Sequence, residues 1–169
     1  MTAHIIALGG SLLRPEEKEE RAAWLGQFRQ MMVHFEGNGR RIALVVGGGL
    51  PAREGIELAR NSTTDADRLD TVGIAATRLN ATILQQILLD IGCDVAPEIP
   101  STTQRAADLL EEYHIVLMGG TVPGHTTDAV AVSLARDSSA SHVVIATNVS
   151  HVYSDDPRSN PDAEAFTMM

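Results

Sequence analysis

Ile115-Val116-Leu117-Met118-Gly119-Gly120-Thr121-Val122-Pro123-Gly124-His125-Thr126-Thr127-Asp128 is the stretch whose reading decides the fold. Its first four residues form an apolar run of strand length, and Ala129 to Ala135 reads as a helix packed through small side chains. Between them, Gly119 to Asp128 holds three glycines, a proline and three threonines, a composition that bares backbone N–H groups and hydroxyls. A helix starting near Thr127 turns its positive end and its unpaired N–H groups back on this loop. That geometry holds an anion, most often a phosphate. A plain strand–turn–helix connection capped by Thr126 or Thr127 has the same look, so recurrence of the pattern decides between them.

Working outward, the arrangement recurs three more times. The apolar run at 4–8 opens into Gly9-Gly10-Ser11, and the run at 42–46 opens into Gly47-Gly48-Gly49. The run at 142–146, expected as another buried strand, opens into Thr147-Asn148-Val149-Ser150 and on to Tyr153 and Asp156-Pro157. Helices separate the runs. Pro15 with Glu16-Glu17 suits the first turn of a helix reaching about 34, with Trp24, Phe28, Met31 and Phe35 as its buried stripe and Gly37-Asn38-Gly39 as its stop. Pro51 suits the first position of a second helix through Leu58, which puts Arg53 one turn in and over the glycine loop. A helical period over 66–91 runs through Leu69, Val72, Ala76, Leu79, Ile83 and Ile87, and 102–112 forms a further amphipathic helix. Strand and helix in alternation predict an α/β protein with a mainly parallel sheet covered on both faces. Ligands of such sheets collect beyond the carboxyl ends of the strands, where all four loops lie.

Composition narrows the chemistry. A chain of 169 residues with 44% apolar content is one domain in size, able to bury roughly 70% of its unfolded surface. No apolar run approaches a membrane span, and nothing at the start resembles a leader, so a cytoplasmic setting is expected. The single cysteine, Cys93, fits a reducing compartment. Thirteen basic against 22 acidic residues give a net charge of −9, which disfavours long nucleic acid as a partner. One lysine, Lys18, stands beside twelve arginines, so an anionic small ligand has to be gripped locally, by loops and single arginines such as Arg53.

Several phosphate-friendly loops at one sheet end suggest two phosphorylated ligands side by side, and phosphoryl transfer asks for alignment and charge neutralisation rather than a covalent residue. No Walker loop or dinucleotide fingerprint occurs. The six histidines, at 4, 34, 114, 125, 142 and 151, show no metal-ligand spacing. Ser11 lacks a nucleophile elbow. Asp70 is either a helix-surface acid or an acceptor for a ribose, and Asp155-Asp156 before Pro157 also suits a turn.

Taken in order, these residues resemble the archaeal-type uridylate (UMP) kinases of the amino-acid kinase superfamily. The matching pieces are Leu8-Gly9-Gly10-Ser11, Val45 to Gly49 with Ala52-Arg53, Leu69-Asp70 with Gly73-Ile74, and Thr77 to Ala81. Met118 to Ala131 and Ala146 to Val149 with Val152-Tyr153 and Asp156-Pro157 complete them, and Pro123 to Ala131 is the most specific block. The resemblance implies a three-layer α/β/α sandwich and transfer of ATP's terminal phosphoryl group to UMP, giving UDP and ADP in pyrimidine nucleotide biosynthesis. By matching position, UMP is held by Gly48, Asp70, Thr121, Val122, Pro123, Gly124, His125, Thr126 and Thr127. ATP is held by Gly10, Ser11, Gly49, Arg53, Thr147, Asn148, Tyr153 and Asp156, with Arg53, Gly10 and Ser11 serving the transfer itself. Mg2+ arrives with ATP rather than in a protein metal site, and a homohexamer is the implied assembly.

Three departures stand against the family pattern. Ala7 occupies the place of a lysine often found two residues before the first glycine pair. Ser150-His151 replaces a common Asp-Gly, restricting a turn on the ATP side. The chain ends at Met169, where family members continue, so 1–169 is expected as a single domain whose donor half is cut short. Two further readings are another small-phosphate kinase, such as an isopentenyl phosphate kinase, and a non-catalytic nucleotide-binding or regulatory protein using the acceptor site alone.

Overall fold

Alternation along three apolar strands sets the layers. The computed structural model describes residues 3–13, 18–147, 152–154 and 160–166, with Lys18, Val152 and Tyr153 described by backbone alone. Strands β1 (Ala3–Leu8), β2 (Arg41–Val46) and β3 (Ile115–Met118) send successive side chains to opposite faces. Ile5, Ala7, Ala43, Val45, Val116 and Met118 face one way, into a core with Leu109 and Leu110 of α5 (Thr103–Glu112) and Leu134 of α6 (Thr127–Asp137). Leu8, Ile42, Leu44, Val46, Ile115 and Leu117 face the other way. They meet Phe28 and Met32 of α2 (Lys18–Gly37) and Leu84 and Leu88 of α4 (Ala66–Asp90). With both faces covered, the strands can be apolar throughout, which is why they read as continuous runs rather than alternating ones.

A fourth strand, β4 (Val143–Ala146), pairs with β1, giving one sheet of order β3-β2-β1-β4 in which every neighbour is parallel. The expected three-layer α/β/α arrangement is therefore observed. Two short helices, α1 (Gly10–Leu13) and α3 (Gly49–Arg60), begin where β1 and β2 end. A separate two-stranded ribbon pairs β5 (Val152–Tyr153) antiparallel with β6 (Ala165–Phe166). Because the four strands of the main sheet run the same way, their following loops leave from one end of it.

Several expectations shift. β4 is exposed rather than buried: Val144 and Ile145 are 47% and 46% exposed, and among the described residues it is the edge of the sheet, with a strand on one side only. In α2 Phe28 is buried and Trp24 and Phe35 pack against the same core, as expected, whereas Met31 faces solvent and Met32 is buried in its place. Trp24 stacks on Phe28 at 5.2 Å between ring centroids, and the helix continues through Gly37. Pro15 and Glu16-Glu17 lie outside the described residues. The helix after β2 starts at Gly49, two residues before Pro51, which its first turn tolerates because the N–H there needs no intrahelical partner.

The largest correction concerns α4. Leu79, on the stripe expected to be buried, is 53% exposed. The inward face instead carries polar Thr77, Asn80 and Gln85 among Leu69, Ala81, Leu84 and Leu88. Each polar group has backbone to satisfy. Gln85 Nε2, for instance, donates to the Ala96 carbonyl at 2.8 Å, tying down the chain that leads to α5.

Two stability predictions follow from this packing. Leu134→Ala, which empties a fully buried position of α6, should cost about 2–5 kcal/mol; an unchanged urea midpoint would show that α6 does not anchor that core. His4, at the start of β1, lies 5.5 Å from the His142 ring. Burial first, then Arg40 and His142, hold its imidazole below the usual 6.5. The folded chain thus binds this proton less readily than the unfolded one, so stability should fall as pH drops below 6.5. His4→Asn should flatten that loss in urea midpoints measured on either side of this pH, and an unchanged slope would remove His4 as its source.

Candidate active site

The loops after β1, β2 and β4 are stitched together by their own backbone. Gly47 N–H donates to the Leu8 carbonyl at 2.8 Å, and Gly9 N–H donates to the Ala146 carbonyl at 2.9 Å. Gly10 then sits directly on the glycines after β2: a Cβ there would fall 2.6 Å from the Gly47 oxygen and 2.7 Å from the Gly48 carbonyl carbon. No larger residue fits without moving one loop off the other. Gly49, against the other side of that contact, has φ +59°, a conformation that glycine adopts without strain.

Beside this contact, a cleft of about 440 Å³ opens at the carboxyl end of β2 and β3. Its floor is Gly48 and Gly49, one wall is Ala52, Arg53 and Ile56 of α3, and another is Asp70, Gly73, Ile74 and Thr77 of α4. The segment after β3 closes it with Gly120, Val122, Gly124, His125, Thr126 and Thr127. Two helices start at the cleft. Gly48 is the cap of α3 and provides no side chain to cover its N–H groups. Thr126 is the cap of α6, its hydroxyl accepting from Ala129 N–H at 3.2 Å. Both positive helix ends therefore meet in one space with the Arg53 side chain, which is suited to a phosphate. Among the described lining residues Arg53 is the one guanidinium and Asp70 the one carboxylate.

Helix α4 sets the shape of this space through three polar side chains. Asp70 Oδ2 accepts from Gly124 N–H at 2.7 Å. This pins the turn in which His125 N–H reaches back to the Val122 carbonyl at 3.4 Å, with Pro123 and a φ of +83° at Gly124 in its centre. Thr77 Oγ1 accepts from Gly120 N–H at 2.7 Å and donates to the Ile74 carbonyl at 2.6 Å. Asn80 Nδ2 donates to the Gly47 and Gly48 carbonyls at 2.8 and 3.0 Å. The helix comes close enough to α3 because Gly55 and Gly73 face it: Cβ atoms there would lie 3.0 Å from Val72 Cγ1 and 3.3 Å from Ile56 Cδ1.

Of the residues expected at an acceptor site, Gly48, Asp70, Val122, Gly124, His125, Thr126 and Thr127 line the cleft, and so do Gly49 and Arg53 from the ATP set. Thr121 faces a neighbouring cavity of about 240 Å³, which Val122 and His125 share. Pro123 is exposed at the crown of its turn and lines neither cavity. Gly10 and Ser11 belong to α1, one layer behind the cleft floor. Thr147 is exposed at the end of β4, next to Gly9. Asn148 and Asp156 lie outside the described residues, as do Ser150 and His151, and of Tyr153 only its place in β5 is described.

Ala52, Ile56, Gly73, Ile74, Thr77 and Gly120 are lining residues that had no assigned role. Gly73, Ile74 and Thr77 fall within matched pieces of the sequence, but their inward direction depends on how α4 crosses α3. Ala52 and Ile56, four apart, lie on one face of α3, and periodicity alone cannot say that the face looks into a cleft.

Comparison with other proteins gives the family. The model of the Amino acid kinase family matches residues 3–169. A protein called uridylate kinase from Methanocaldococcus jannaschii is 40% identical over 165 residues, covering 98% of this chain and 71% of that one. The crystal structure of uridylate kinase from Archaeoglobus fulgidus superposes with a TM-score of 0.74 at 38% identity, over 95% of this chain and 71% of that one. The crystal structure of UMP kinase from Bacillus anthracis also reaches 0.74, at 24% identity, and so speaks for the fold alone, over 97% of this chain and 72% of that one. Its length is thus about seven tenths of these relatives. Sharing both their residues and their parallel sheet, the chain belongs to the amino acid kinase family.

Proposed function

We propose that this chain transfers the terminal phosphoryl group of ATP to UMP, forming UDP and ADP. The observation that carries the proposal is the single cleft in which two helix N-termini, Arg53 and the Asp70-pinned turn converge. A relative 40% identical over nearly all of the chain, called uridylate kinase, supports the choice of acceptor. The UMP phosphate would lie over Gly48 and Gly49 at the start of α3, with the sugar and base extending toward Asp70 and the 121–127 segment. ATP would approach across Gly10, Ser11 and the end of β4, so that its γ-phosphate meets the acceptor phosphate near Arg53. Asn148, Tyr153 and Asp156 belong to the same donor assignment by family resemblance.

In the transfer, a UMP phosphate oxygen forms a bond to the γ-phosphorus as the bond from that phosphorus to the β–γ bridging oxygen breaks, and ADP leaves. The attacking oxygen is already ionised at neutral pH, so the protein needs no general base. What it supplies is alignment, and positive potential where charge spreads over the migrating group. The helix ends and Arg53 provide that potential. Among the described residues no group of three or more histidine, cysteine or acidic side chains comes together as a metal cage. By family resemblance Mg2+ is assigned to the ATP phosphates and water, which it prefers to an all-protein site. No described helix is long and apolar enough to cross a membrane, in keeping with a reaction between water-soluble nucleotides. The proposal includes a cytoplasmic setting and the hexamer implied by family resemblance.

An ADP-release assay run with UMP, CMP and isopentenyl phosphate tests the assignment. UMP-dependent turnover is expected. Turnover with isopentenyl phosphate in its place would overturn the acceptor, and UMP binding by calorimetry without turnover would favour a binding protein. Arg53→Ala should lower kcat by about a hundredfold while leaving the melting temperature unchanged, because the side chain is exposed. Wild-type rates in that variant would remove Arg53 from the site. Thr127→Val should raise the KM for UMP about tenfold and spare the KM for ATP; an unchanged KM for UMP would discredit the place given to the 121–127 segment.

A further inference from the structure

Asn80 is fully buried on α4, behind the cleft rather than in its lining. Its amide nitrogen donates to two successive carbonyls, Gly47 at 2.8 Å and Gly48 at 3.0 Å. Carbonyls only accept, so the orientation of the amide is settled: Nδ2 faces the loop. The cost is visible on the other side, where Asn80 Oδ1 is buried and has no donor among the described residues. A buried acceptor left unsatisfied is destabilising. Two satisfied carbonyls are one reason for an asparagine here, offset in part by its unpaired Oδ1.

The geometry of the peptide unit supplies a stronger reason. In a trans peptide the C=O and the N–H of the next residue point in opposite directions. When the Gly47 and Gly48 carbonyls turn inward to Asn80, the N–H groups of Gly48 and Gly49 turn away from it, and both glycines line the cleft. The Gly47 N–H bond to the Leu8 carbonyl and the packing of Gly10 also hold this loop, but Asn80 is the side chain that reaches both carbonyls. Three consecutive glycines carry no Cβ to bar rotation of the intervening peptides, and Gly49 already occupies φ +59°. A flipped Gly48–Gly49 peptide would present a carbonyl oxygen to an anion and repel it.

We propose that Asn80 is a positioning residue for the acceptor phosphate: its amide holds the Gly47 and Gly48 carbonyls inward, so that the Gly48 and Gly49 N–H groups face the phosphate. This rests on the acceptor-site reading above, and the test separates the two. Thr77, one turn earlier, holds Gly120 N–H, and Asp70 holds Gly124 N–H. The loop after β3 thus has its own ties and serves as an internal control.

The test is an NMR titration of 15N-labelled chain with UMP and, separately, with inorganic phosphate, in wild type and in Asn80→Leu, which matches the side chain in size and donates nothing. In wild type the Gly48 and Gly49 amide resonances should move with either ligand. In Asn80→Leu that response should be lost and UMP affinity should fall about tenfold or more, while the Gly120 and Gly124 amides still respond and unfolding stays cooperative, at a melting temperature lowered by the two lost hydrogen bonds. A general loss of structure would instead silence both loops together. A folded Asn80→Leu variant with wild-type UMP affinity and intact Gly48 and Gly49 responses overturns the proposal. Should Asn80→Leu fail to fold, Asn80→Asp, which keeps the shape and replaces the donor by a carboxylate, is read the same way. Should neither fold, Gly48 and Gly49 amides that ignore both ligands in wild type overturn it, and amides that move support it. If wild type ignores UMP but its Gly48 and Gly49 amides respond to phosphate, the UMP assignment fails and the role of Asn80 stands.

Discussion

A glycine loop can hold a phosphate only if its N–H groups face the ligand and its carbonyls face something else. At the end of this sheet that something is α4. Asp70, Thr77 and Asn80 take, in turn, the Gly124 amide, the Gly120 amide and the paired carbonyls of Gly47 and Gly48. The eleven residues from Asp70 to Asn80 span about 15 Å of helix, enough to reach across the cleft from the turn after β3 to the floor after β2. One rigid element thereby sets the relative position of two loops that come from different strands.

The rigidity of that element comes from the core. The carboxyl half of α4 is seated on the sheet by Ala81, Leu84 and Leu88, all fully buried. Its amino half, with Asp70, stands beside α3 instead. No residue of α3 is buried, and the two helices meet through Gly55 and Gly73. Displacing α3 thus exposes little apolar surface, whereas displacing α4 would open the core. Arg53 rides on the more exposed of the two helices, and Asn80 on the one seated in the core.

Charge is handled locally. With a net charge of −9, the chain as a whole does not draw anions in. Two helix ends and one guanidinium do so over a few ångströms, and exposed charges further away are screened by salt. Arg53 has the Asp70 carboxylate in the same cleft, and Asp70 is engaged with Gly124 N–H, so a carboxylate sits near the proposed phosphate site while occupied with the backbone.

Local composition was enough for the sheet and for the start of α6, because an apolar run covered on both sides and a threonine cap leave signatures within a few residues. The Gly-rich loops announced themselves in the same way, and with them Gly48, Gly49 and the Thr126-Thr127 pair. The inward face of α4 was not legible: hydropathy put Leu79 inside and passed over Asn80, since polarity normally marks a solvent face. Which side of a helix is buried depends on what it meets, and here it meets unsatisfied backbone contributed from far along the chain. The edge position of β4 was hidden for a related reason, since Val144 and Ile145 look the same whether or not a strand lies beyond them. Segment type was therefore decided by neighbours in the chain, and the partners of each polar group by neighbours in space.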